Sequence, residues 1–352
     1  MDATGRGEGV TALGPALVIG ANGYLGSHVT RQLVADGHDV RVMVRPKATT
    51  IGIDDLKVTR FIGDIWDDDV LREAMAGCDV VYYCVVDTRG WLRDPAPLFR
   101  TNVAGTRNVL AVATEPAIAA GLKRFVFTSS YVTVGRKSGR TATEDDVIVD
   151  RGLTPYVRSR VQAENLVMKY ARDHGLPAVA VCISTTYGSG DWGRTPHGAI
   201  IAGAAFGKLP FVMSGIQLEA VGIDDAARAM ILAADQGRVG ERYLISEKMI
   251  TNADVARIAA EAAGVPPPAK SIPLPVSYAM AALGSAKARL KGTDEQLSLG
   301  SLRLMRAEAP VDCSKAKSEL DWKPRPVEES IREAAKFWVD LRRAKRASKQ
   351  AG

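Results

Sequence analysis

The sequence has few of the residues that build disulfide frameworks or metal sites. It contains only four cysteines and four histidines among 352 residues. The cysteines have no metal-ligand spacing, and two of them lie in apolar stretches typical of strands, so we expect reduced, mostly buried thiols in a cytosolic protein. No His, Cys or Asp cluster indicates a metal. The cysteines are Cys78, Cys84, Cys182 and Cys313.

Long apolar runs are also missing. No uninterrupted stretch approaches the length of a membrane span, so the sequence predicts no integral membrane segment. Residues 1–13 lack the apolar core of a signal peptide and are expected to form a flexible N-terminal tail. The length of the chain is enough to bury a full core, as one large domain or one and a half.

Excess positive charge is confined to one end of the chain. The segment 342–352 carries five cations and no acid, and removing these five from the net charge of +6 leaves +1. A nearly neutral body argues against nucleic-acid binding. We interpret the basic tail as a solvated helix end, with contact to an anionic surface as the alternative. Its cations are Arg342, Arg343, Lys345, Arg346 and Lys349.

The most informative segment is a glycine-rich turn, GANGYLG, at residues 20–26. A short apolar run, ALVI, precedes it, and a helical pattern follows it. Glycine permits positive φ and close backbone approach, and the helix offers unpaired N–H groups to a phosphate. Strand, turn and helix together predict a dinucleotide site; the alternative is an ordinary tight turn.

A second predicted strand, at 40–44, ends in Arg45, with Lys47 close behind. A NAD-binding unit places an acidic residue here, on the ribose 2′-hydroxyl. A guanidinium instead binds a 2′-phosphate bidentately. The sequence therefore predicts NADP(H) rather than NAD; the alternative is a solvated surface arginine.

Strand and helix patterns alternate along the first half of the chain, which predicts an α/β fold with a doubly wound parallel Rossmann-type sheet. Further strands are expected at 58–62, 80–86, 124–130, 178–184 and 241–245. The longer helices are expected at 68–76, 99–121, 156–171, 224–235, 252–263 and 327–341, with Gly121 as a left-handed stop for the second. Ligands bind beyond the carboxyl ends of such strands.

We divide the chain into an NADP-binding Rossmann domain, 14–188, to which 222–246 returns, and a smaller mixed C-terminal substrate domain. The substrate-binding region comprises 189–221 and 247–341, where the regular alternation breaks down and glycine, alanine and proline are frequent. The basic tail 342–352 follows it.

Three side chains suggest proton transfer to a carbonyl oxygen. Ser130 ends a predicted strand, and Tyr156 and Arg160, four residues apart, share one face of a predicted helix. A nearby cation favours the phenolate and is expected to lower the tyrosine pKa. Each residue alone has a structural alternative: the tyrosine could pack, and the serine could simply end its strand.

The motifs resemble those of the extended short-chain dehydrogenase/reductase family, in its dihydroflavonol-4-reductase and 3β-hydroxysteroid-dehydrogenase-like branch. The resemblance covers about residues 15–340. It is carried by GANGYLG (20–26), GDI (63–65), NVAGTRNVL (102–110), RFVFTSS (124–130), YVRSRVQAE (156–164), TYG (186–188), GIDDAARA (222–229) and DCSKAKSELDWKPR (312–325).

The resemblance implies that Ser130 is the catalytic hydroxyl, Tyr156 the general acid/base and Arg160 the accompanying cation. It also implies homodimerisation through the helices at 99–121 and 156–171. Two positions depart from the family pattern: Arg160 replaces the usual lysine, and Ile183 a frequent proline. The candidate cofactor residues are Gly20, Asn22, Gly23, Tyr24, Leu25, Arg45, Lys47, Asp64, Ile65, Val85, Val86, Ser129, Tyr156, Arg160, Ile183, Thr185 and Thr186.

Three functions are consistent with these residues. The first is an NADP(H)-dependent oxidoreductase that interconverts a ketone and a secondary alcohol on a mid-sized, largely apolar small-molecule substrate. The second is a nucleotide-sugar epimerase or dehydratase of the same fold, left open by Arg194 and Lys208. The third, suggested by Arg160, is a weakly catalytic NADP(H)-binding or sensor protein.

Overall fold

A computed structural model describes residues 14–135, 139–148, 152–294, 299, 302 and 310–350. The predicted N-terminal tail, 1–13, and the last two residues of the basic tail lie outside the described residues. The strands are β1 (Ala16–Ile19), β2 (Val40–Val44), β3 (Thr59–Ile62), β4 (Val80–Tyr83), β5 (Arg124–Ser130), β6 (Ala178–Ile183), β7 (Thr185–Tyr187), β8 (Val212–Met213), β9 (Gln217–Gly222), β10 (Arg242–Ile245), β11 (Lys248–Thr251) and β12 (Ser271–Ile272).

The helices alternate with the strands in the first part of the chain and cluster in the last. A π-helical turn, Arg100–Gly105, joins the third and fourth of them. They are α1 (Tyr24–Ala35), α2 (Asp68–Met75), α3 (Ala96–Phe99), α4 (Thr106–Ala113), α5 (Pro116–Ala119), α6 (Pro155–His174), α7 (Pro196–Ala205), α8 (Ile223–Asp235), α9 (Asn252–Ala262), α10 (Leu274–Lys291), α11 (Ser314–Glu319) and α12 (Val327–Gln350).

The large sheet has seven strands in the order β10-β6-β5-β4-β1-β2-β3, all parallel. The strand order reverses between β4 and β1, which places the topological switch point beside the glycine turn. Strands β1, β4 and β6 are buried along their whole length because helices cover both faces. The fold class predicted from the alternating pattern is confirmed.

Two core clusters fill the two faces of this sheet. On one face, Val29 and Leu33 of α1 pack with Met230 and Ile231 of α8. On the other face, Leu71 of α2, Val109 of α4 and Val167 of α6 share a second cluster. Burial on both faces explains why the strands read as continuous apolar runs in the sequence.

A smaller, mixed sheet forms the second layer of the molecule. β9 pairs in parallel with β7 and antiparallel with β11, and a two-stranded parallel pair joins β8 and β12. Helices α7, α9 and α12 pack around a third core cluster that includes Tyr187, Leu218 and Ile331. Because β7 follows β6 after one residue, the chain passes directly from the large sheet into the small one.

One predicted helix, 99–121, is wrong as a continuous element. The chain there forms α3, the π-helical turn, α4 and α5. Pro116 has no amide hydrogen to continue the helix, and α5 begins at this proline. Gly121 does not adopt positive φ, so it is not a left-handed cap.

Two other boundaries differ from those predicted. The strand expected at 80–86 ends at Tyr83, where the sheet pairing with β1 stops. Helix α12 continues from the predicted end at 341 to Gln350, because the basic tail contains helix-favouring Ala, Arg and Lys and no proline up to that point. The described part of the tail is therefore helical, and residues 343–348 are exposed, whereas the guanidinium carbon of Arg342 lies 4.6 Å from the centroid of the Phe206 ring.

All four cysteines are free, as the sequence predicts, and three of them are buried. Burial raises the pKa of the Cys78 thiol to about 11 and that of Cys84 to about 12. These thiols are therefore neutral at physiological pH. Within the described part of the chain, no helix combines the length and apolarity needed to cross a bilayer.

Replacing Gly26 with alanine should destabilise the fold. An added Cβ would lie 2.3 Å from the Gly20 carbonyl oxygen and 3.0 Å from the Ala21 Cα, both backbone atoms that cannot rotate away. We expect Gly26→Ala to lower the free energy of unfolding by about 1–3 kcal/mol. Gly193→Ala is the control, since a Cβ there meets nothing within 4 Å. Equal urea midpoints for the two variants would contradict the expectation.

Candidate active site

The candidate site lies where the parallel strands of the large sheet end. Because all seven strands run in one direction, the segments after β1, β2, β3, β4 and β5 reach the same edge. The register pairs Ser129 with Cys182 and Ser130 with Ile183, so β5 and β6 end side by side. The candidate residues therefore reach this edge from separate loops.

The glycine turn has the geometry needed to receive a phosphate. Gly20 has φ of 84°, and a Cβ there would lie 2.9 Å from Val85 Cγ2, so the turn passes close to the end of β4. Gly23 is the N-cap of α1 and supplies no side-chain cap, and the first helical turn contains no acid. The first amide hydrogens of α1 thus meet neither a capping side chain nor a carboxylate of that turn, which suits an anionic group.

The residues next to the glycine turn differ in their surroundings: some pack against other parts of the fold, and others remain half-buried at the site. The Tyr24 hydroxyl donates a hydrogen bond to the Gly188 carbonyl oxygen at 2.9 Å. Burial, followed by the negative charge of Asp191, raises the pKa of this phenol well above its usual value. Leu25 packs partly into the first core cluster. The Tyr24 side chain therefore connects α1 to the segment after β7. The Asn22 side chain is half-buried.

Two cations stand at the carboxyl end of β2. The Ala48 amide donates to the Arg45 carbonyl at 3.1 Å, which closes a tight turn with Pro46 and Lys47 at its centre. Lys47 has φ of 60°, a left-handed conformation that is rare for a residue with a side chain. Arg45 and Lys47 are exposed, and neither side chain makes a hydrogen bond or ion pair with the described residues.

The loop after β3 lies against the helix that carries the π-helical turn. A Cβ on Gly105 would lie 2.3 Å from Ile65 Cδ1, so only glycine there leaves room for the buried isoleucine. The Asn108 amide donates to the Ile65 carbonyl oxygen at 2.9 Å and to an Asp68 carboxylate oxygen at 2.7 Å. These contacts fix the backbone beside the half-buried Asp64, where the resemblance implies the adenine.

Ser130 and Tyr156 are brought together at the centre of the edge. Ser130 is buried at the end of β5, and its hydroxyl lies near enough to the Tyr156 phenol to lower the pKa of that phenol. Thr154 caps the N-terminus of α6, and Pro155 occupies its first turn, so Tyr156 lies in the first turn of that helix.

The pKa of Tyr156 is raised, contrary to the lowering expected from the neighbouring cation. Burial of the phenol is the largest cause, and it outweighs the lowering by the Arg160 charge and by the neighbouring Ser130 hydroxyl. The phenol is therefore protonated throughout the physiological pH range and is suited to donate a proton.

Arg160 is fully buried, with 0 % of its surface exposed. One terminal nitrogen donates to the Thr128 carbonyl oxygen, and the guanidinium carbon lies 5.3 Å from the centroid of the Phe127 ring. Its Nε and its other terminal nitrogen have no hydrogen-bond partner. Buried donors of this kind are costly unless a polar ligand satisfies them, so the arrangement fits a polyhydroxylated ligand such as a cofactor ribose.

A buried carboxylate that the sequence analysis did not single out holds the end of β5 in place. Glu164, one helical turn beyond Arg160, accepts hydrogen bonds from the Ser129 and Thr133 hydroxyls and pairs with Arg242 at 2.9 Å. It is 3 % exposed. Ser129 is thereby turned toward this carboxylate rather than into the cofactor edge. The signal in the sequence was an acid between Ala163 and Val167 on the buried face of α6.

A second missed residue, Asn102, joins three elements beneath the site. Its side-chain oxygen accepts from the Asp87 amide at 2.8 Å, and its amide group donates to the Asp87 carbonyl and to the Ser159 hydroxyl, both at 3.0 Å. The residue is fully buried in the π-helical turn. It fixes the segment after β4, which includes Val85 and Val86, relative to α6. A polar residue at the start of a buried apolar helix was the available signal.

The remaining candidates lie between the two sheets. Ile183 is buried at the end of β6, and Thr185 and Thr186 are half-buried in β7, where they pair with Ala220 and Val221 of β9. The short distance along the chain from Ile183 keeps these threonines near the site, although their backbones belong to the small sheet.

Comparison with known proteins shows the family to which the chain belongs. The model for the NAD dependent epimerase/dehydratase family matches residues 16–246, which span the glycine turn, Ser130, Tyr156 and Arg160. The chain belongs to this family. The predicted family resemblance is thus confirmed, and epimerase/dehydratase family members include oxidoreductases as well as epimerases and dehydratases.

Individual relatives extend the similarity over most of the chain. Sterol demethylase protein B of Methylococcus capsulatus is 28% identical over 326 residues, 92% of this chain and 97% of its own. Dihydroflavonol 4-reductase of Zea mays is 28% identical over 265 residues, 70% of this chain and 73% of its own. The crystal structure of gox2253 is 31% identical, has a TM-score of 0.81, and covers 93% of this chain and 98% of its own. The similarity therefore includes the small sheet and the C-terminal helices.

Proposed function

We propose that the protein is an NADP(H)-dependent oxidoreductase that interconverts a ketone and a secondary alcohol on a mid-sized, largely apolar substrate. The observation that carries this proposal is that Ser130 and the fully buried Arg160 both act on the Tyr156 phenol at one end of β5. A phenol and a hydroxyl that lie side by side can both donate a hydrogen bond to the same carbonyl oxygen of a substrate.

Tyr156, Ser130 and Arg160 have different roles in the proposed reaction. The bound nicotinamide would supply or accept the hydride, chemistry that no side chain provides. Tyr156 gives its proton to the carbonyl oxygen during reduction and recovers one from the alcohol during oxidation. Ser130 donates a hydrogen bond to that oxygen and orients it. Arg160 stabilises the phenolate that remains after proton transfer and binds the ribose through its unpartnered nitrogens.

The preference for NADP(H) rests on the two cations at the end of β2. Arg45 and Lys47 have no partner among the described residues, and the left-handed turn at Lys47 presents both at one tip. A 2′-phosphate would satisfy both. The same fold with an acid at this tip would repel it.

The substrate class is proposed on two grounds. The substrate-binding region contains apolar elements around the small sheet and α10, and relatives include a sterol demethylase protein and a dihydroflavonol reductase by name. Cytosolic location and a homodimer built through α4 and α6 are parts of the same proposal.

An epimerase or dehydratase acting on a nucleotide sugar is the second candidate. Arg194, with φ of 54°, and Lys208 are exposed in the substrate-binding region, where they could bind a diphosphate. Such an enzyme would retain NAD through its catalytic cycle and would convert sugar nucleotides with no net change in nicotinamide absorbance. Turnover of this kind, with no ketone reduction, would replace the first candidate by the second.

Reversing the charge at Arg45 should weaken NADPH binding specifically. Loss of a charge-assisted contact to the 2′-phosphate is expected to raise the Kd for NADPH about 10- to 100-fold in Arg45→Glu. The Kd for NADH should stay unchanged or fall. Lys57→Glu, an exposed cation before β3 at the opposite end of the strands, is the control. Equal losses for both cofactors in titration calorimetry would count against the phosphate contact.

Removing the Tyr156 hydroxyl should abolish turnover while leaving the cofactor bound. Tyr156→Phe is expected to lower kcat for ketone reduction about 10²- to 10⁴-fold with no change in NADPH affinity. Because burial raises the pKa of Tyr156, the wild-type rate of reduction should show no alkaline fall up to about pH 9. The reverse oxidation, which needs the phenolate, should keep rising with pH over that range. Assays of both proteins across pH, with ketones and NADPH in one direction and alcohols and NADP⁺ in the other, measure the two rates. Titration calorimetry measures the NADPH affinity.

Exchanging the cation at position 160 separates catalysis from simple cofactor binding. If Arg160 is the working cation, Arg160→Lys should lower kcat about tenfold, because an ammonium cannot keep the planar contact with Phe127 and the bond to Thr128 together. Arg160→Met, which keeps the length and removes the charge, should lower it further. A large gain in rate for Arg160→Lys would instead identify a weakly catalytic NADP(H)-binding protein.

A further inference from the structure

Helix α10 presents an apolar stripe on the face opposite the one that it buries. Val276, Leu283 and Leu290 are 47%, 71% and 88% exposed. Residues seven apart on a helix differ by only about 20° in direction, so these three form one narrow stripe about 21 Å long.

The buried face of the same helix accounts for its attachment to the fold. Ser277 and Ala281 are 1% and 0% exposed, and Ala281 packs with Ile216 and Leu302 in a small fourth core cluster. At about 100° per residue, these two positions point well away from the stripe. The stripe is therefore not needed for packing onto the small sheet, and no described residue covers it.

Charge along the helix is of one sign. From 270 to 291 the sequence contains Lys270, Lys287, Arg289 and Lys291 and no acid. The first acid beyond it, Asp294, accepts a hydrogen bond from the Arg93 amide at 2.9 Å. Lys291 lies about 60° from the line of Val276, so a cation borders the C-terminal end of the stripe.

We propose that α10 docks the protein onto an anionic lipid membrane, lying along its surface. An apolar helix face bordered by cations binds such interfaces because the apolar side chains enter the acyl boundary and the cations pair with lipid phosphates. The helix does not cross the bilayer, since no described helix is long and apolar enough.

A second copy of this chain fits the stripe less well. Two antiparallel α10 helices would bury their leucines but would offer no carboxylate of either helix to Lys291. An anionic membrane satisfies both features of the stripe together. The inference is independent of the proposed reaction, because it uses neither the cofactor edge nor Tyr156.

The test is flotation of the full-length protein with lipid vesicles. We expect binding to vesicles of mixed phosphatidylcholine and phosphatidylglycerol at low ionic strength, weaker binding at high ionic strength, and little binding to phosphatidylcholine alone. Leu283→Gln/Leu290→Gln should reduce the bound fraction at least about tenfold, because both side chains are exposed and contribute apolar area only at the membrane.

The matched control is Val147→Gln/Val239→Gln, which removes two exposed apolar side chains, 82% and 49% exposed, beside β10. This variant should bind vesicles like the wild type. Unchanged melting temperature and NADPH affinity in both double variants would show that the fold is intact, and Leu290→Gln alone serves if the pair destabilises it.

Three results would overturn the proposal. They are failure of the wild type to float with anionic vesicles, equal loss of binding in the control variant, and a dimer in lipid-free solution that the Leu283→Gln/Leu290→Gln change converts to monomer. The last would assign the stripe to a second copy. None of these bears on ketone reduction, so the docking and the reaction stand or fall separately.

Discussion

The buried guanidinium of Arg160 constrains everything around the candidate site. The side chain is 0 % exposed. A buried charge without partners lowers the stability of the folded protein by several kcal/mol. The described residues give it one carbonyl and one aromatic face and leave two nitrogens without an acceptor. These two nitrogens are buried polar atoms near the phenol of Tyr156 that the fold itself leaves unsatisfied.

Three successive turns of α6 meet the end of one strand. Residues four apart share a helix face, and Tyr156, Arg160 and Glu164 contact Ser130, Thr128 and Ser129 of β5 in turn. Asn102 then ties the helix to the segment after β4 through Ser159. The relative position of phenol, hydroxyl and cation thus follows from one helix–strand contact rather than from a mobile loop.

The sequence alone predicted those features of the fold that depend on residues close together in the chain. The order strand, glycine turn, helix is found as predicted, and alternation of apolar runs predicted the parallel sheet, because both depend on short-range pattern. The interruption of 99–121 depends on Pro116, where α5 begins. Other features depend on residues far apart in the chain, so no short segment of sequence contains them. They are the contacts of Asn102 and Glu164 and the direction in which the Tyr156 pKa is shifted.

The arginine at position 160 changes how the proposed proton transfer can be completed. A guanidinium stays protonated at any physiological pH and cannot relay a proton as a lysine ammonium can. The phenol must therefore regain its proton by another route after each reduction. Its raised pKa makes that reprotonation favourable at neutral pH, which leaves Arg160 the task of holding charge and ligand in place.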